Sequence, residues 1–242
     1  MSYVGFIQEI LEELSVPYPI SLSIEKSPRE LVTQTDKDIE QEIRQKIQSR
    51  YPTHGIRGEE QANVREESDY QWVIDPIDGT TNYVHQIPLF CTAIALLYRN
   101  TVVAAGVKAH ITNNIYIAEK GKGATKNRQP IHAKRQLLKE GMVGFCHANM
   151  PEAIEYMHSL YKTYKLATRD FRRLGSANLE LCMLADANLV AFIGYEIQPW
   201  DFLPGCLIAA EAGCTITGWN GESWQDPATR SIKATAPGIE LP

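Results

Sequence analysis

"WVIDPIDGTTNYVH", residues 72–85, sets an apolar run against two aspartates, a glycine and two threonines. Trp72, Val73 and Ile74 read as a buried strand that Asp75 ends, with Pro76 to Gly79 turning the chain into a new element. Two carboxylates crowded at such a turn repel one another, by roughly 4 kcal/mol at about 4 Å and an effective dielectric near 20. That is a large share of the roughly 5–15 kcal/mol that holds a domain folded. Either one carboxylate is protonated, or both point to water, or a cation lies between them. The plainer alternative is a turn aspartate bonding its own backbone, or one capping a helix that begins at Gly79. Oxygen donors without nearby histidine or cysteine favour a hard cation, Mg²⁺ over Zn²⁺. Gly79-Thr80-Thr81 adds a glycine that permits close backbone approach, two hydroxyls, and the free N–H groups of a helix start. A cation-binding carboxylate pair beside an anion-binding nest suits a phosphate ester, and Thr80 could hold a water for attack on it.

Outward from this stretch the texture is β on the C-terminal side. "LFCTAIALLYRN", "TVVAAGVKAH" and "NIYIAEK" are strand-like runs bounded by turn residues. "EKGKGATKNRQ" reads as a hairpin turn, its G-x-G carrying little weight as a nucleotide loop. On the N-terminal side, Val4, Ile7, Ile10, Leu11 and Leu14 have helical spacing. Ile39, Ile43 and Ile47 stripe a second helix that starts near Thr35 or Asp36 and ends before Pro52, and a short strand follows at Gly55 to Gly58. After residue 138, strand-like pieces ("GMVGFCH", "LVAFIGY", "CTITGW") alternate with helical ones ("MPEAIEYMHSLYKTYK", "SANLELCMLAD", "FLPGCLIAAEAG"). This order predicts an α+β part over 1–138, carrying most of the acidic site, and an α/β part over 139–242 carrying Asp201. The tail after Gly218 reads only as small, turn-rich elements.

The 242 residues are 44% hydrophobic and 22% charged, within the range of globular domains, and the net charge of -5 argues against a nucleic-acid partner. No apolar run approaches the roughly 18 residues of a membrane span, and "MSYVGFIQEILEEL" does not read as a signal peptide. Five dispersed cysteines without a CxxC pair read as free buried thiols, so a cytoplasmic location is expected.

Four places carry acids in unusual settings: Asp36 in "TQTDKD", Glu59-Glu60 after a glycine, Asp75 with Asp78, and Asp201 in "QPWDFLPG". Taken alone, Asp36 and Asp201 read as helix N-caps. Together with "GEE" (58–60), "RRLGSANLELC" (172–182) and "PWDFLPGCLIAAEAG" (199–213), the opening stretch closely resembles the inositol monophosphatase family of Mg²⁺-dependent, lithium-sensitive phosphatases. The resemblance implies a layered α-β-α-β-α sandwich, usually a homodimer, that hydrolyses a small phosphate ester. It also implies two or three Mg²⁺ ions. One would be held by Glu59, Asp75 and the carbonyl of Ile77, and one by Asp75, Asp78 and Asp201, with a third leaning on Glu59 through water. Asp36 and Thr80, with Glu59, would activate the attacking water, and Gly79, Thr80, Asp78, Ser176 and Glu196 would face the substrate.

The chain departs from the family's pattern on the leaving-group side. The family's acidic residue seven positions before the W-D aspartate is matched only by Glu196, five positions before Asp201. "DANLVAF" replaces the usual G-R-x-D segment, and Leu203-Pro204 replaces a pair of small residues, with Pro204 expected in the first helical turn where a missing N–H costs no bond. Lys26 lies one residue out of step with a lysine that can approach the metals, and the six histidines are too dispersed to suggest a catalytic role. A polyol phosphate such as inositol 1-phosphate is the substrate expected. The alternatives are NADP(H) 2'-phosphate, 3'-phosphoadenosine 5'-phosphate or fructose 1,6-bisphosphate, or a non-catalytic binding role on the same fold.

Overall fold

The quoted stretch spans most of one strand and the short helix after it. Tyr70–Asp78 is one strand, buried continuously from Trp72 to Asp78. Helices cover both faces of its sheet, which is why the sequence there is an unbroken apolar run and not an alternation. The computed structural model describes residues 2–18, 24–27 and 30–242, with the side chains of 24–27 and 30–31 outside that description. The side chain of Lys26 therefore lies outside the described residues.

The chain opens with α1 (Tyr3–Glu13), a hairpin of β1 (Ile24–Ser27) and β2 (Glu30–Val32), and α2 (Gln34–Arg50). Next come β3 (Gly55–Gly58), β4 (Tyr70–Asp78), the short α3 (Thr80–Val84), β5 (Cys91–Tyr98), β6 (Thr101–Ala109), β7 (Asn114–Glu119), β8 (Ala124–Lys126) and β9 (Gln129–Ile131). The remainder holds β10 (Met142–His147), α4 (Pro151–Ala167), β11 (Asp170–Arg172), α5 (Ala177–Ala185), β12 (Ala191–Tyr195), α6 (Pro199–Glu211), β13 (Thr215–Gly218) and β14 (Ile232–Thr235).

Strands β3 to β9 form a seven-stranded sheet in sequence order, antiparallel except for the parallel β3–β4 pair. The five-stranded sheet has the order β11-β10-β12-β14-β13. Helices α1 and α2 pack on the first sheet, α5 and α6 pack against both sheets, and α4 packs on the second. The result is the expected α-β-α-β-α layering. The burial of each helix follows its place. α1 buries one stripe, Phe6, Ile7, Ile10 and Leu11, whereas the middle-layer α5 is buried almost all round, as a helix with sheets on two sides must be.

Three expectations are corrected. α6 begins at Pro199, so Pro204 is its sixth residue and lies inside the helix, not in its first turn. Asp36 and Asp201 are not N-caps. Each is the third helical residue of a capping box, whose caps are Thr33 and Gln198. The tail also holds more than turns, since β14 inserts between β12 and β13 and pairs antiparallel with both.

The G-x-G segment is a hairpin turn, and its N–H groups are already engaged. Gly121 and Gly123 donate to the two carboxylate oxygens of Glu211 at 2.7 and 2.8 Å. The five thiols are free, four of them buried and Cys146 half-buried. Among the described residues no helix is long and apolar enough to cross a membrane.

Candidate active site

Side chains three apart on a regular strand point to opposite faces, so Asp75 and Asp78 need a break in the pleat to face one way. A β-bulge supplies it. Asp75 pairs with Ala93 and Asp78 with Cys91, so three steps on β4 oppose two on β5. The extra residue resets the alternation, and proline is tolerated at such a point because the ladder is already interrupted. Both aspartates consequently share the side of Val73, Ala93 and Cys91, facing the α5/α6 layer, while Trp72 and Ile74 face α1 and α2. Thr92 fastens the bulge by donating its hydroxyl to the Pro76 carbonyl at 2.6 Å. His110 Nε2 lies 2.8 Å from the same Thr92 oxygen. Because that hydroxyl has one proton and gives it to Pro76, the imidazole is the donor.

Two helix starts deliver the outlying acids. Asp36 is fully buried. Its Oδ2 accepts from the Thr33 N–H at 2.8 Å and from the Thr33 hydroxyl, leaving Oδ1 3.3 Å from the Thr80 hydroxyl. The Thr80 hydroxyl also lies 3.0 Å from the Ile77 carbonyl. Asp201 repeats the arrangement at α6, its Oδ2 accepting from the Gln198 N–H at 2.8 Å. Glu59 is placed by a pair that sequence reading missed. Buried Glu40 on α2 bonds Arg44 at 2.7 Å and accepts from the Glu60 and Gln61 N–H groups, while Arg44 donates to the carbonyls of Gln61 and Ala62. A Cβ on Gly58 would sit 2.2 Å from the Glu40 carboxylate, so the glycine before "EE" makes room for this anchor.

Asp78 is met by the start of α5, accepting from the N–H groups of Ala177 and Asn178 at 3.1 and 2.6 Å. Burial still raises its pKa, to about 6. Asp75 is pushed well above the usual carboxylate range, first by burial and then by the negative charges of Glu59, Asp78, Asp201 and Asp36. Asp36 is raised as well, by burial and by the charge of Glu60, against the pull of its bonds from Thr33. Asp75 Oδ1 is buried with no hydrogen-bond partner. An orphaned carboxylate oxygen amid further acids, with donors that are all oxygen, matches what a hard divalent cation takes. As placed, no three histidine, cysteine, aspartate or glutamate side chains among the described residues form a closed ion cage. The fit therefore rests on donor type and on the orphaned oxygen.

Above these groups opens a cavity of about 1080 Å³. Glu59, Asp78, Gly79, Thr80 and Asp201 line it, while Asp36, Asp75, Ile77 and Ser176 are buried and do not. Gly79 caps α3 in a left-handed conformation, φ 96°, and a Cβ there would lie 3.0 Å from the carbonyls of Gly175 and Leu89. Ser176 sits 3.5 Å from Cys91 Sγ. Glu196 reaches the cavity wall at φ 55°, its N–H and carboxylate both bonded to Ser231. Sequence reading also missed that Arg173, Arg230 and His147 line the same cavity as the acids. Arg173 Nη1 lies 3.3 Å from His147 Nε2, and His147 Nδ1 lies 2.8 Å from the Ala148 carbonyl. This makes Nδ1 the imidazole's protonated nitrogen, and burial holds the His147 pKa down. Only the "RR" before "LGSAN" hinted in the sequence at positive charge near the site.

The sequence pattern of the inositol monophosphatase family matches residues 3–241. The Nus factor SuhB of Vibrio cholerae is 35% identical over 201 residues, 81% of this chain and 75% of that one. The chloroplastic phosphatase IMPL1 of Arabidopsis thaliana is 33% identical over 225 residues, 88% of this chain and 59% of its own. Among solved structures, the Thermotoga maritima IMPase superposes with a TM-score of 0.84 at 26% identity, covering 96% of this chain and 89% of that one.

Proposed function

The chain belongs to the inositol monophosphatase family, and on that premise we propose that it is a Mg²⁺-dependent phosphomonoesterase of small polyol phosphates, inositol 1-phosphate being representative. The observation that carries this is the unpartnered, buried Oδ1 of Asp75 among the charges of Glu59, Asp78, Asp201 and Asp36. Glu59, Asp75, Ile77 (through its carbonyl), Asp78 and Asp201 would hold two or three Mg²⁺ ions. When bound, these supply Lewis-acid polarisation of the phosphate oxygens and charge to offset the clustered carboxylates.

The chain's own residues orient the reaction. Thr80, between Asp36 and the Ile77 carbonyl, positions a water for in-line attack, and Asp36 takes its proton through that hydroxyl. The backbone of Gly79 and Thr80 receives the phosphate. The water oxygen bonds to phosphorus, the ester P–O bond breaks, the leaving alkoxide takes a proton from solvent water to depart as the alcohol, and Asp36 returns its proton to solvent. Lithium sensitivity, a homodimeric state and a cytoplasmic location are parts of the same proposal.

A second reading of the leaving group follows from the two arginines on the cavity. Arg173 and Arg230 suit a substrate with a second anionic group, such as a bisphosphate or a nucleotide phosphate. Phosphate release from a panel of both kinds, with and without Mg²⁺, tests the two together. We expect Asp75→Asn to lose nearly all turnover while its circular dichroism stays that of wild type. Wild-type protein that released phosphate from no ester would overturn the enzymatic reading and leave a binding role on this fold. Glu196→Gln should lower kcat/KM selectively on the polyol phosphate, and Arg230→Ala selectively on the bisphosphate, each by about tenfold.

A further inference from the structure

Pro204 interrupts α6 at its sixth residue. In an uninterrupted helix the N–H at position 204 would bond the carbonyl four residues back, that of Trp200. Here that carbonyl is served from another helix, since Asn178 Nδ2 donates to it at 2.9 Å. The other end of the same amide, Asn178 Oδ1, accepts from the Gly205 N–H at 3.0 Å. One side chain thus bridges the break on both sides. Asn178 is fully buried, and its own N–H grips Asp78 Oδ2 at 2.6 Å. It therefore connects Asp78 to the peptide unit that joins Trp200 to Asp201. The approach is close because residue 205 is glycine, where a Cβ would lie 2.7 Å from Leu181 Cβ and 3.1 Å from the Asn178 carbonyl.

We infer that Asn178 and Pro204 act together as a clasp that sets the position of Asp201 relative to Asp78. Asn178 is a positioning residue for the cation site and has no contact with substrate. This rests on the function proposed above. An ordinary helix at residue 204 would satisfy the Trp200 carbonyl internally and would need no asparagine on α5. The proline makes the first turn of α6, with Asp201 in it, depend on α5, the helix that also holds Asp78. Two carboxylates from distant parts of the chain are thereby referred to one amide group.

Mg²⁺ binding measured by calorimetry on wild type, Asn178→Ala, Pro204→Ala and the double variant tests the clasp, with kcat and KM for phosphate release measured alongside. Asn178→Ala leaves the Trp200 carbonyl without its partner and should weaken Mg²⁺ binding about tenfold, as loss of a ligand-orienting group does. Its kcat should fall while KM for the ester stays close to wild type. In the double variant the alanine at 204 restores the N–H, and binding should return to within about twofold of wild type by the same reasoning. If Asn178→Ala does not fold, the double variant alone decides, and it should fold and bind Mg²⁺ normally. Asn178→Ala binding Mg²⁺ as wild type does, or a double variant no better than Asn178→Ala, overturns the clasp. Wild-type protein with neither Mg²⁺ binding nor phosphate release overturns the proposed function and the clasp with it.

Discussion

His110 bears on the site through two other groups, donating a hydrogen bond to the Thr92 hydroxyl, which in turn holds the Pro76 carbonyl in the bulge. Burial, helped by the charge of Lys108, lowers its pKa to about 3. Between that value and the ordinary 6.5 the unfolded chain binds a proton that the folded chain refuses. The stability this group contributes is therefore complete above pH 6.5 and is lost as pH falls toward 3, by about 1.4 kcal/mol per pH unit within the window. In urea unfolding, wild type should lose about 2 kcal/mol from this source between pH 7 and pH 5. His110→Gln should lack that increment. Equal pH slopes for the two proteins would remove His110 from the account. Nothing in the sequence around "KAHIT" marks this histidine out, because its partners come from another strand.

At the scale of elements, the decisive feature is the bulge that turns Asp75 and Asp78 to one side of β4. The motif's residues were legible because they are contiguous. The bulge was not, because it is a register relation with β5 and belongs to no single strand. The same holds for Glu40 and Arg44, which sit on α2 as an ordinary i,i+4 pair yet tie down the loop that carries Glu59. Gly79 tests the link between the bulge and α3. Its φ of 96° and the two carbonyls 3.0 Å from a prospective Cβ mean that Gly79→Ala should cost about 1–3 kcal/mol. Moving the start of α3 should also lower kcat/KM more than the loss of stability alone can explain. A variant with wild-type Tm and kinetics would show that this backbone conformation is not needed.

At the scale of the whole molecule, the middle helices α5 and α6 connect the two sheets, and the cavity is lined from both sides of residue 138, by Glu59 and Thr80 as well as Arg173 and Asp201. The five-stranded sheet depends on the tail, since β14 is an inner strand bonded to β12 and β13. A chain ending at Gly218 would leave both neighbours with unpaired edges and expose Ile232's partners, Gly194 and Gly218. We expect that truncation to abolish cooperative unfolding in calorimetry, and a sharp transition near the wild-type Tm would show the tail to be dispensable. Local sequence alone marked the helices with a single apolar stripe and the acids Asp75 and Asp78, while the run of motifs shared with the family implied the layered fold and added Asp36, Glu59 and Asp201 to the expected site. Those signals are local, written in periodicity or in motifs of a few adjacent residues. Folding settled which way Asp78 faces, which groups bond the loop of Glu59 and the carboxylate of Asp201, where β14 pairs, and that Arg173, Arg230 and His147 line one cavity with the acids. Except for the bond to Asp201, each of these is a contact between distant segments, and it exists only once packing has brought their backbones within hydrogen-bonding distance.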